Sequence, residues 1–172
     1  MKKKIATILV FLITFNTYGA GLKDFYLSYQ TDKGTVFFVQ PQKLHLISGS
    51  PANKDIYFDF TYVHPTDSVR ILSTITLPTV CRITNLNIGG QDFATVLVYT
   101  TPSKKNITYR LESYIPYSLW NIICTSATPL AMTFSDKESR SWTFGFTEQE
   151  WKKRRLLFQQ LTELIHLQES YE

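Results

Sequence analysis

The stretch Asp55-Ile56-Tyr57-Phe58-Asp59-Phe60-Thr61-Tyr62-Val63 decides the fold class. Ile56, Phe58, Phe60 and Tyr62 fall on one face of an extended chain. Asp55, Tyr57, Asp59 and Thr61 fall on the other. This period of two is the pattern of a half-buried β-strand. Arg70–Leu77 repeats it, with Ile71, Ile75 and Leu77 opposite Arg70, Thr74 and Thr76. So do Asn106–Glu112, Leu130–Ser135 and Arg140–Phe146. Clean alternation belongs to antiparallel sheets with one face on a core. Two further runs, Thr35–Val39 and Ala94–Tyr99, are apolar on both faces, and are expected to be central or covered on both sides.

Asp32-Lys33-Gly34 joins Phe25–Gln30 to Thr35–Val39 as a short hairpin. Gly89-Gly90 and Asp136–Ser139 supply further turns. No helix-length pattern separates the early strands, which argues against a parallel α/β fold. The C-terminus differs. Thr147 and Glu150 form a capping box, and Trp151, Phe158, Leu161 and Ile165 then recur at helical spacing. The spacing predicts a helix over Glu148–Gln168. Tyr117–Cys124 reads as a shorter helix after Pro116 or, through Ile122-Ile123-Cys124-Thr125, as a strand. The expected fold is mainly β (α+β): an antiparallel sheet, sandwich-like or curled, packed by one long C-terminal helix. The rival is a helix that stands off as a partner-binding arm.

Residues 1–20 read as a cleaved secretory signal. Lys2, Lys3 and Lys4 precede the apolar run Ile5–Phe15, and Thr17, Gly19 and Ala20 are small residues suited to cleavage. The run is shorter than the roughly 20 apolar residues of a membrane span. The alternative is an uncleaved anchor or a strand of the fold. Residues 21–172 then form a single domain of ordinary size. The whole chain has 18 Lys+Arg against 14 Asp+Glu. Three of the lysines lie in the leader, so the remainder has 15 against 14, and no basic field argues for nucleic acid. The expected location is the periplasm or the extracellular space, soluble after cleavage, and the leader has a bacterial style. Cys81 and Cys124 are far from the cleavage site, so no lipid anchor is expected there.

The same two cysteines are a candidate disulfide, since disulfides persist in exported proteins. Their apolar neighbours, Val80, Ile83, Ile122 and Ile123, equally suit two buried thiols. The common catalytic and nucleotide-binding motifs are missing. His45, His64 and His166 lie on three different predicted elements. Asp59, His64 and Asp67 surround one turn, His64-Pro65-Thr66-Asp67, and make a poor metal site. No catalytic residue, metal or cofactor is expected. Lys152-Lys153-Arg154-Arg155 is the one dense charge run: an interaction patch, or a solvated helix face. Tyr26, Tyr29, Tyr57, Tyr99, Tyr114 and Tyr117 offer stacking platforms for sugar if exposed, and core filling if not.

The function expected from these features is an exported, non-enzymatic binding or scaffolding protein of the cell envelope or extracellular space, its partner a protein or a glycan. The alternatives are a small secreted hydrolase with a glycosidase-like carboxylate pair, and a carbohydrate-binding module. Exposure decides between them. A carboxylate pair in a cleft favours the hydrolase, a strip of tyrosines the sugar binder, and an apolar patch or open sheet edge the binding protein.

Overall fold

The computed structural model describes residues 21–169, so the expected leader lies outside them. Nine strands and two helices follow in order: β1 (Tyr26–Thr31), β2 (Gly34–Ser48), β3 (Asp55–His64), β4 (Ser68–Leu77), β5 (Ile83–Ile88), β6 (Gln91–Pro102), β7 (Ile107–Pro116), α1 (Tyr117–Thr125), β8 (Ala131–Asp136), β9 (Ser141–Gly145) and α2 (Glu148–Glu169). Every strand pairing is antiparallel. The sheet runs β2-β3-β4-β7-β6-β5-β8-β9 and returns to β2, closing an eight-stranded barrel with β1 outside the ring.

The mainly antiparallel class holds, but the architecture is a barrel rather than a sandwich. The physical reason lies in β2. Its first half, Gly34–Val39, is flanked by β1 and β3. The register then shifts between Val39 and Gln42. Past this bulge, His45–Ser48 offers β9 the edge that β1 held. Bulges bend strands and re-aim their edges, and this one turns the sheet far enough to meet itself.

Phe58, Phe60, Ile71, Ile75, Leu111, Phe134 and Phe144 fill the interior, each 2 % exposed or less. The register carries one parity around the ring: Phe60 opposes Ile71, and Leu86 opposes Phe134. The outer face carries Asp59 paired with Arg110, and Arg70 paired with Glu112. Apolar side chains point in and charged ones out, the reverse of a membrane-spanning barrel. Among the described residues no helix is long and apolar enough to cross a membrane.

Both helices close one end of the barrel. The stretch over Tyr117–Thr125 resolves as helix, and Leu119, Trp120, Ile123 and Cys124 are its buried side. The Gly89 turn, at φ +60°, lies against it. A Cβ on Gly89 would sit 3.2 Å from Leu119 and Ile123 side-chain carbons, so glycine is needed for both conformation and space. The capping box of α2 forms as read. The Thr147 N–H donates to Glu150 Oε2 at 3.0 Å, and the Glu150 N–H donates to Thr147 Oγ1 at 3.3 Å. Trp151, Phe158, Leu161 and Ile165 are all buried. The Phe158 ring meets Phe25, Phe60, Trp120 and Trp151 at centroid distances of 4.9 to 6.0 Å. The helix is therefore a plug of the barrel and not an arm that stands off.

Candidate functional site

One seam of the barrel is only half paired. β5 and β6 hold each other from Ile88–Gln91 to Asn85–Ala94 and no further. Below that point the two strands follow different neighbours. β6 stays with β7 as far as Pro102. β5 stays with β8, across a bulge between Ile83 and Asn85. Two bonds hold the approach to β5: the Lys137 N–H donates to the Arg82 carbonyl at 3.3 Å, on the β8 side, and the Cys81 N–H donates to the Tyr109 hydroxyl of the groove floor at 3.0 Å, in place of bonds to the β6 edge. The wall splits between them.

The split is a groove of about 770 Å³. Val80–Thr84 forms one wall, β6 from Thr95 to Pro102 the other, and Ile107, Tyr109 and Leu111 of β7 the floor. That volume lies within the roughly 300–1,000 Å³ of ordinary ligand sites. Ala94–Tyr99, expected to be covered, is instead open. Val96, Leu97, Val98 and Tyr99 are 60, 51, 48 and 55 % exposed. Across the groove Val80 is 79 % exposed. Four consecutive exposed apolar residues on a strand with a bare edge are what proteins usually avoid. The signal was present in the sequence as a stretch without charge from Phe93 to Ser103. Apolarity on both faces is common to a covered strand and to a naked one, and burial is the more frequent cause.

The cysteines do not pair. Both are free, Cys81 at the groove and Cys124 in the buried side of α1. Cys81 is held by Tyr109, near the start of β7, whereas α1 follows the end of β7 at the capped end of the barrel. Burial pushes both thiols up, Cys124 well above the ordinary value.

A second cluster joins three elements. His45 on β2 contacts Asp55 Oδ1 through Nδ1 at 2.7 Å and Glu150 Oε1 through Nε2 at 3.0 Å. Lys43 Nζ reaches Asp55 Oδ2 at 2.7 Å. Glu150 and then Asp55 raise the His45 pKa. The Thr147 N–H first, and His45 next, draw Glu150 down to about 2. Lys43 leads in lowering Asp55. Each carboxylate is occupied by a cation or a helix cap, so the arrangement fastens α2 to the barrel. It does not present a carboxylate pair facing a cleft.

The remaining sequence candidates are scattered. Asp59 faces out and pairs with Arg110, His64 is buried inside, and the Asp67 carbonyl accepts the Tyr117 N–H. Among the described residues no three His, Cys, Asp or Glu side chains gather to hold a metal. Tyr29, Tyr57, Tyr99 and Tyr114 are exposed, whereas Tyr26 and Tyr117 are half-buried. Tyr57 and Tyr99 share one outer row with Thr74 and Arg110 between them, about 14 Å apart at three strand spacings. They are not adjacent stacking platforms. Lys152, Lys153 and Arg154 are exposed, while Arg155 turns in toward the Ser126 carbonyl, which also accepts from Trp151 Nε1 at 3.1 Å. The run is thus three solvated residues and one structural one. No family model, no curated protein and no solved structure matches this chain.

Proposed function

We propose that this chain is a binding protein, acting in the cell envelope or outside the cell, that takes an apolar partner into the groove between β5 and β6. The observation that carries the reading is the splayed seam: a charge-free strand, exposed over Val96–Tyr99, beside an apolar cavity of about 770 Å³. Exposed apolar surface of this kind marks interaction sites. The eight-stranded ring supports it, because an interior of this size is either filled by side chains or holds one ligand. Here Ile75 and Leu77 fill the uncapped half as well, and the room for a ligand lies in the split seam beside them. The location rests on the leader sequence alone.

The test is titration with an apolar fluorophore, anilinonaphthalene sulfonate. One site per chain is expected. Leu97→Lys should abolish it while moving the melting temperature by less than a few degrees, because Leu97 is already half exposed. Undiminished binding by Leu97→Lys would refute the groove as the site.

A further inference from the structure

We propose that the groove accepts its occupant as an added β-strand. The occupant is an extended segment of another polypeptide, apolar at alternate positions, with a carboxylate at the end that meets Arg82, Lys104 and Lys105. This rests on the groove being a binding site and names what fills it.

The backbone argues for a polypeptide. From Thr95 to Pro102, β6 bonds to β7 along one edge and faces the groove with the other. Backbone groups in a strand point to alternate edges, so about four residues direct N–H and C=O groups into the gap. An acyl chain covers the apolar side chains but leaves those groups unanswered. A strand answers both, with main-chain bonds along the edge and side chains in the cavity. The size agrees. One strand residue fills roughly 3.3 by 4.8 by 10 Å, about 160 Å³, so the groove takes about five.

The charges argue for the acid. Arg82 lines the groove, and Lys104 and Lys105 stand at its lower end, in the turn after Pro102. Among the described residues none of the three has an ion pair. The nearby Arg140 is taken by Asp136 and Glu138. A second copy of the chain is the poorer occupant. Val80–Thr84 faces the edge across the groove and bars the approach of another barrel wall. The bulge between Leu97 and Tyr99, with Pro102 at the strand end, also limits pairing to a short segment.

The experiment pans a phage-displayed library of random nonapeptides against the protein. Enriched sequences are then synthesised and their affinities measured by fluorescence anisotropy. Enriched peptides should alternate apolar residues and carry Asp or Glu at one end. Methylating alternate backbone nitrogens should weaken them at least tenfold. Arg82→Glu should weaken them at least fivefold, and Leu97→Lys should abolish binding. If the fluorophore still binds in a Leu97-dependent way but no extended peptide is enriched, or methylation changes nothing, strand addition is wrong and the groove reading survives. Decanoate occupying the site in place of any peptide has the same meaning. If Leu97→Lys leaves the fluorophore bound, the groove reading itself falls.

Discussion

Replacing His45 by Gln removes the charge that fastens α2 to the barrel. The magnitude follows from exposure. The His45, Asp55 and Glu150 side chains are 35, 35 and 43 % exposed, so solvent screens both pairs. Partly exposed pairs contribute about 0.2–1 kcal/mol each, giving about 1 kcal/mol for the two. The folded pKa of His45 is raised, so its contribution is complete below the unfolded value near 6.5 and is lost as pH rises through the folded value. Asp55 and Glu150 are lowered, Glu150 to about 2. Their contributions are complete above the unfolded carboxylate values near 4 and are lost as pH falls toward 2. The latch therefore works best between about pH 4.5 and 6.5, where all three groups and Lys43 are charged. Urea unfolding at pH 2, 5.5 and 8.5 reads it directly. At pH 5.5 the wild type should exceed His45→Gln by about 1 kcal/mol, or about 0.5 M in midpoint for a slope near 2 kcal/mol/M. The gap should at least halve at pH 8.5 and at pH 2, where Glu150 is half protonated in the folded protein. An equal gap at all three values would refute the latch.

Phe158→Ala removes a ring that touches four others and is 1 % exposed. It should cost about 4 kcal/mol, or roughly 10 °C in melting temperature, by calorimetry; a shift under 2 °C would mean that α2 is not part of the core. Arg110→Ala strands the buried Asp59 carboxylate and should cost about 3 kcal/mol in urea, whereas Asp59→Asn with Arg110→Met should cost far less. Mass spectrometry of the exported, natively alkylated protein should find residue 1 missing, Cys81 modified without reductant, and Cys124 modified only after unfolding. An intact residue 1 would count against export, and protection of Cys81 until reduction would count against two free thiols.

The strands were legible because each carries its own evidence. Ile56, Phe58, Phe60 and Tyr62 declare a buried face without reference to anything distant. The capping box was equally local, since Thr147 and Glu150 are three residues apart. Barrel closure was not legible. It depends on the bulge between Val39 and Gln42 and on the pairing of His45–Ser48 with β9, about a hundred residues away. His45 was invisible for the same reason, with Glu150 lying 105 residues on. The expectation of export made Cys81 and Cys124 look like a pair, but the topology puts one at the open groove and the other under the cap. Ala94–Tyr99 is ambiguous in sequence, because apolarity on both faces fits a covered strand and a naked one alike. Its exposure follows from where β5 goes, and the Lys137 bond that holds Arg82 on the β8 side leaves no mark on the sequence of β6.

The account turns on the free edge of β6, and amide hydrogen exchange resolved along Thr95–Thr101 tests it most directly. With an enriched nonapeptide bound, the amides that face the groove should exchange at least ten times more slowly, while Val69–Thr74 of β4, already paired on both sides, should not change. Unaltered exchange along Thr95–Thr101 in the presence of bound peptide, or protection appearing on α2 instead, would contradict it.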